Sequence, residues 1–176
     1  MGVPLSVTTA DLRAASLAAG NRPPIDILLG QPARRLWEPL LVWCASQFLE
    51  ENALFMLAVP KYKVAPTQPK MDHLYKHFVG HGAQRPDREI NVPSDAREQI
   101  FEIVTGARTR QTGTGCRADA FDAGITGLRG QVANDINGRF GGALRNDPTA
   151  KFTITASQAS IIDRELADFS RLGLNL

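Results

Sequence analysis

The 176-residue sequence has few cysteines and little net charge, and each shortage excludes a class of protein. Two cysteines, Cys44 and Cys116, are too few for the disulfide framework of a small secreted domain, so we expect a reducing, cytoplasmic compartment. The 20 basic and 18 acidic residues leave a formal net charge of +2. This balance lacks the clustered basic excess that is typical of nucleic-acid-binding proteins, and we expect no nucleic-acid partner.

The sequence also has no long apolar run. No window approaches the roughly 18 consecutive apolar residues of a membrane-spanning helix, so we expect no stable membrane insertion. The N-terminal residues lack the basic and apolar regions of a secretory signal. Two features leave peripheral membrane contact open as an alternative. Residues 1–6 fit the loose N-myristoylation pattern M-G-x-x-x-[ST], and the segment 105–117 carries three arginines whose ordinary interpretation is solvated charge.

Hydrophobic residues make up 43% of the chain and recur with the spacing of helices. Between residues 33 and 48 they fall on one helical face that includes Trp37, Leu40, Leu41, Cys44 and Phe48, and Pro39 marks either a helix start or a kink. Similar patterns predict helices near residues 9–19, 50–62, 71–79, 94–104, 119–144 and 157–172. No alternating series predicts a strand, so the expected class is all-α.

Several residues are typical of helix ends. Thr9 or Asp11 is a candidate cap for the first helix, and Ser94 is a natural N-cap for the helix that follows it. Glu50 and Glu51 suit a helix start because the unpaired N–H groups there carry partial positive charge. Gly124, Gly127 and Gly130 either weaken their helix, by up to ~1 kcal/mol each where exposed, or allow another element to pack closely.

The chain has no recognisable catalytic motif. It contains no Walker A sequence, dinucleotide fingerprint or nucleophile elbow, and the glycine-rich run 112–117 has no lysine to hold a phosphate. His73 and His77 are spaced to share a helical face that is fit for a metal, and His81 follows beyond Gly80. The favoured interpretation of the histidines is a solvated helix flank. We therefore predict neither an enzyme nor a metal or cofactor site.

Four short motifs follow one another in the chain. They are Leu49-Glu50-Glu51-Asn52 with Phe55, then Leu74-Tyr75-Lys76-His77-Phe78, then Glu89-Ile90-Asn91-Val92 with Arg97-Glu98, and finally Phe121-Asp122-Ala123 with Asp135-Ile136-Asn137-Gly138-Arg139-Phe140. In this order and spacing, over roughly residues 25–145, they resemble the RGS family, the regulators of G-protein signalling. The chain resembles a divergent member of that family.

The resemblance implies a fold of about nine helices, with a four-helix bundle and a terminal-helix subdomain. It divides the chain into an N-terminal helical or flexible segment at 1–24, an RGS-like domain at 25–145 and a C-terminal helix at 146–176. It also implies a function without internal chemistry, in which the domain binds a Gα-type GTPase. Such domains accelerate GTP hydrolysis by holding the switch loops in their transition-state arrangement.

The resemblance further implies which residues would contact the G protein. Glu51 and Asn52 would touch the switch loops as exposed polar side chains, and Asn91 would lie beside the catalytic glutamine of the partner. Asparagine suits that place because it both donates and accepts hydrogen bonds. The remaining contacts would come from Ser94, Gln131, Asp135 and Arg139.

The sequence departs from the family pattern mainly at this surface. Leu49 replaces a capping serine, Pro93 follows Asn91-Val92 where an acidic residue is common, and Gln131 occupies a usually apolar contact position. Ile136 replaces the serine after Asp135. These departures leave an alternative open, in which the chain is a non-catalytic interaction module with the same fold and a different partner.

Overall fold

The computed structural model describes residues 2–80, 88–109, 116–131, 133–145 and 147–176, without the side chains of residues 107–109 and 131. Within these ranges the chain forms nine α-helices and a two-stranded sheet. The α-helices are α1 (Thr9–Ala18), α2 (Pro24–Leu29), α3 (Arg34–Ser46), α4 (Glu50–Val64), α5 (Gln68–Leu74), α6 (Ser94–Thr109), α7 (Asp122–Gln131), α8 (Ala133–Arg145) and α9 (Ala156–Arg171). The predicted all-α class is confirmed.

Helix α4 lies at the centre of the molecule. Its residues from Asn52 to Val59 are all buried, as expected for a helix that is apolar on every side. Phe55 contacts the rings of Phe78 and Phe121 at centroid distances of 5.8 Å each. The central helix therefore contacts aromatic rings from the turn that follows α5 and from the residue that precedes α7.

Two of the three spaced glycines lie at close contacts. A Cβ atom on Gly124 would lie 3.2 Å from Phe55 Cζ and 3.2 Å from Ile100 Cδ1. A Cβ atom on Gly127 would lie 2.8 Å from Pro93 Cδ, whereas Gly130 has nothing within 4 Å. The close-packing interpretation holds for Gly124 and Gly127, and Gly130 lies in open space.

The two ends of the chain meet in a small sheet that the sequence pattern did not predict. Strand β1 (Ser6–Thr8) pairs antiparallel with β2 (Lys151–Thr153), with Val7 opposite Phe152. Three-residue strands are too short to show an alternating pattern. Asp163 of α9 also accepts a 2.9 Å hydrogen bond from the Val3 amide, so the N-terminal segment is ordered against the last helix. The division of the chain at residues 24 and 145 stays a prediction.

The helix ends differ from expectation in a few places. The cap of α1 is Thr8, whose side chain forms a capping box with Asp11. Pro39 lies inside α3, as the kink alternative requires. Phe48, assigned above to the buried face of that helix, lies beyond its end and is 79% exposed. The predicted helix 119–144 consists of two helices, and the expected loop from 105 begins as the last turn of α6.

The α5 segment continues beyond Leu74 as one π-helical turn, Tyr75–Val79, which ends at Gly80. Gly80 has a φ of +54°, a left-handed backbone that favours glycine. His81, the third histidine of the sequence pattern, lies outside the described residues. The π turn carries His77, which lines a cleft beside α9.

Gly127→Ala is predicted to destabilise the fold by about 1–3 kcal/mol, because the new methyl group would overlap the ring of Pro93. The matched control is Gly130→Ala in the same helix. It should raise stability by up to ~1 kcal/mol, because alanine favours helix and the position is open. Urea denaturation of both variants measures the difference. Equal effects of the two substitutions would contradict the close contact.

Candidate functional site

Asn52 is fully buried and connects two segments that the sequence predicted to be part of one surface. Its side-chain oxygen accepts a 3.0 Å hydrogen bond from the backbone N–H of Asn91, and its Nδ2 donates to Glu51 Oε1 at 2.6 Å. The start of α4 and the connection before α6 are thereby joined. The expectation that Asn52 is exposed is wrong, because its amide is used inside the protein.

Arg97 also holds the connection before α6, in addition to the Asn52 hydrogen bond. Arg97 of α6 donates from Nη1 to the Val79 carbonyl and from Nη2 to the Ile90 carbonyl, both at 2.5 Å. It also forms an ion pair with Glu89 at 2.9 Å. Charge-assisted bonds of this kind are stronger than neutral ones, so the residues before α6 are fixed from both sides.

The predicted contact residues after Asn52 divide into two exposed groups. Asn91 and Ser94 are exposed at the start of α6. Asp135 and Arg139 are exposed on α8 and form an i, i+4 ion pair with a 2.8 Å separation. A pair of this kind at the surface is worth only a few tenths of a kcal/mol, so both charges are available to a partner. The side chain of Gln131 lies outside the described part of the chain.

Helix α7 connects these groups through packing. Gly127 brings α7 against Val92 and Pro93, directly after Asn91. Helix α8, which carries Asp135 and Arg139, starts two residues after the end of α7 and packs on it. The α3–α4 connection adds Phe48, which is 79% exposed and has a φ of +58°. A bulky residue held in this strained backbone region is uncommon, and such strain often occurs at functional positions.

Glu51 is half-buried at the start of α4, beside a cleft of about 740 Å³. Burial raises the pKa of its carboxyl to about 7, and the neighbouring charge of Glu50 acts in the same direction. Glu50 Oε2 is itself buried and lacks a hydrogen-bond partner among the described residues. The cleft therefore has two imperfectly compensated carboxylates on one side.

The cleft lies between the start of α4, the π turn with the following connection, and α9. It is lined by Glu50, Glu51, His77, Arg88, Glu89, Ile161, Arg164, Glu165 and Asp168. Most of these side chains are charged, and acidic groups outnumber basic ones.

A buried ionic cluster forms the floor of the cleft. Glu165 of α9 has a 2% exposed side chain; its Oε1 lies 2.6 Å from His73 Nε2, and its Oε2 is paired with Arg88. Burial alone would raise the pKa of Glu165, but the hydrogen bond with His73 and the charge of Arg88 outweigh it and lower the pKa. The rings of His73 and His77 are stacked with centroids 4.2 Å apart.

The sequence pattern did not predict this cluster. The predicted solvated flank is wrong for His73, whose side chain is 11% exposed and bonded to α9. A signal was available in α9, where Glu165 lies three residues after Ile162 and four before Phe169. Both of those residues are buried, so the spacing places a carboxylate on the buried face. Arg88 had no comparable sequence signal.

Comparisons with known proteins give no family: no family model, curated protein or solved structure matches the chain. Within the described ranges, the helices lack the combined length and apolar character needed to cross a membrane. The resemblance to the RGS family therefore stays a prediction from the four sequence motifs.

The raised pKa of Glu51 predicts a pH dependence of stability. Its folded-state pKa of about 7 exceeds the ordinary value of 4.5, so the folded protein binds the proton more tightly than the unfolded chain. The contribution of Glu51 should therefore lower the free energy of unfolding as the pH rises from 4.5 to about 7, and level off above that. Glu51→Gln should remove this fall and stabilise the protein at pH 8 by about 1–3 kcal/mol.

Urea denaturation between pH 4.5 and pH 8 measures the effect on wild type and variant. Glutamine keeps an oxygen that can accept from Asn52, so the substitution isolates the charge. Glu102→Gln makes the same change at an exposed position of α6 and serves as the control. Parallel stability curves for wild type and Glu51→Gln would contradict the assignment.

Proposed function

We propose that the chain is a divergent RGS-type domain that binds a Gα-type GTPase and accelerates its GTP hydrolysis. The observation that carries the proposal is the arrangement around Asn91. Its backbone N–H is held by the buried Asn52 side chain, while its own side chain is exposed. A polar group that is fixed in advance can orient a partner's mobile loop at little entropic cost.

The proposed mechanism needs no catalytic group from this chain. The partner supplies its own nucleotide, water and catalytic glutamine, and this chain reduces the motion of the loops that carry them. Asn91 would contact that glutamine and the adjacent backbone, since an amide side chain both donates and accepts. Electrostatic catalysis depends on such preorganisation, because dipoles that are already in place need not reorganise during the reaction.

Other exposed groups extend the proposed contact surface. Phe48 offers an aromatic side chain next to α4, and aromatic residues are enriched among those that dominate binding energy. Asp135 and Arg139 offer an acceptor and a donor on α8, and Ser94 a hydroxyl beside Asn91. Glu51 would contribute from the edge of the cleft.

One observation favours the non-catalytic alternative. The side chain of Asn52 is fully buried and cannot reach a partner, so one of the predicted switch contacts is lost. In the alternative the chain has the same fold but binds a different partner and does not accelerate GTP hydrolysis. The two candidates are separated by testing whether the chain binds a Gα subunit and accelerates its GTP hydrolysis.

Asn91→Ala is predicted to remove most of the acceleration, by about tenfold or more, because it deletes the positioned amide. The fold should be unaffected, since alanine keeps the backbone N–H that Asn52 binds. The measurement is single-turnover GTP hydrolysis by a panel of Gα subunits with this protein in excess. Binding to the same subunits loaded with GDP and aluminium fluoride, an analogue of the transferring phosphoryl group, is measured alongside.

Asn175→Ala is the matched control, because it makes the same substitution at an exposed position after α9. Equal acceleration by wild type and Asn91→Ala would exclude the proposed role of Asn91. Binding by wild type without any acceleration would exclude the GTPase-activating role. Neither binding nor acceleration with any Gα subunit would overturn the proposed function, and a stable partner other than a nucleotide-bound G protein would support the interaction-module alternative.

A further inference from the structure

The side chains of three residues of types that commonly ligate metals, His73, His77 and Glu165, lie close together. One ligand atom from each lies within 4.8 Å of the others. The two histidines are four residues apart on the α5 segment, and the glutamate comes from α9, nearly ninety positions later in the chain. Adjacent ligands on a tetrahedral ion with bonds of about 2.1 Å are roughly 3.4 Å apart, so small side-chain movements would close the site.

Local structure around these residues supports a binding role. His77 lies in the π-helical turn Tyr75–Val79, and such turns are rare and often occur at functional sites. The turn and the stacking of His73 on His77 direct both rings to the same side of the helix. Phe169 packs against His73 in an edge-to-face arrangement with centroids 5.7 Å apart.

The surroundings of Glu165 resemble the outer shell of a metal site. Arg88 holds the carboxylate oxygen that does not face His73, and it also donates to the Ile161 carbonyl at 3.3 Å. Ligating carboxylates are commonly held by second partners in this way, which fixes their direction. The charge of Arg88 opposes a cation, but five carboxylates line the adjoining cleft against two guanidinium groups.

We propose that His73, His77 and Glu165 form a binding site for a divalent transition metal of the zinc class. Two imidazoles and one carboxylate suit such ions better than magnesium or calcium, which prefer all-oxygen ligands. The ion would lie between His73 Nε2 and Glu165 Oε1 and replace their hydrogen bond, because the atoms that ligate a metal carry no proton. His77 and Glu165 also line the cleft, so the fourth coordination position would open into it.

Such an ion would fasten α9 to the α5 segment, and this consequence does not depend on the Gα proposal. A ligand that binds only the folded state raises the free energy of unfolding as its concentration increases. The melting temperature of the full chain, freed of any affinity tag, should therefore rise with added Zn²⁺. Loss of a ligand should weaken Zn²⁺ binding by at least about tenfold.

The test is calorimetric titration of the full chain with Zn²⁺, for wild type, His77→Ala and Glu165→Gln. His81→Ala is the control, because it removes the one other histidine of the chain. We expect saturable binding of one ion to wild type and to His81→Ala, and at least about tenfold weaker binding in the two ligand variants. Circular dichroism establishes that each variant is folded.

A second measurement needs no variant of the buried glutamate. In NMR spectra of wild type, addition of Zn²⁺ should shift the imidazole signals of His73 and His77 and leave those of His81 in place. No saturable binding to wild type would overturn the proposal. Undiminished binding in folded His77→Ala, or a shift confined to His81 and its neighbours, would overturn it as well.

Discussion

The hydrogen bond between the buried Asn52 side chain and the Asn91 backbone is the interaction on which the proposed surface depends. It joins the first turn of the central helix α4 to the connection that leads into α6. A buried amide without partners costs about 1–3 kcal/mol, so Asn52 is stable in this place only while Asn91 and Glu51 satisfy it. The position of Asn91 is therefore set from inside the protein.

This arrangement changes which residues of one sequence motif can contact a partner. The resemblance implied exposed contacts at Glu51 and Asn52 of the Leu49-Glu50-Glu51-Asn52 segment, but neither residue is fully exposed. The side chain of Asn52 forms its hydrogen bonds inside the protein. Glu51 lies at the edge of a cleft, where burial disfavours the charged form of its carboxyl. The exposed residues nearby are Phe48 and Asn91. The proposed contact surface therefore includes fewer residues of this segment than the sequence predicted.

The sequence was informative where a feature repeats over several helical turns. Helices α3 and α9 were predictable because their apolar residues recur at three- and four-residue spacing over at least two helical turns. The close contact at Gly127 was predictable only as one of two alternatives, since its cause is Pro93, more than thirty positions earlier. The β1–β2 pairing was not predictable, because two three-residue segments at opposite ends of the chain carry no periodic signal.

The candidate sites, like the fold, could be predicted only in part from the sequence. The His73–His77 spacing was visible in the sequence, but its completion by Glu165 depends on how α9 folds back onto α5. The pKa of each carboxyl depends on its burial and its neighbours, and both depend on the whole fold. The pKa of Glu165 is lowered despite its burial, because His73 forms a hydrogen bond with it and Arg88 is paired with it. The pKa of Glu51 is raised by burial and by the neighbouring charge of Glu50.

Amide hydrogen exchange of Asn91, followed residue by residue by NMR, tests the central interaction most directly. We predict that the Asn91 N–H exchanges as slowly as amides inside α4, because it is bonded to a fully buried acceptor. In Asn52→Ala that protection should be lost while the interior of α4 remains protected. Exchange of the wild-type Asn91 amide at the rate of an unstructured chain would contradict the account.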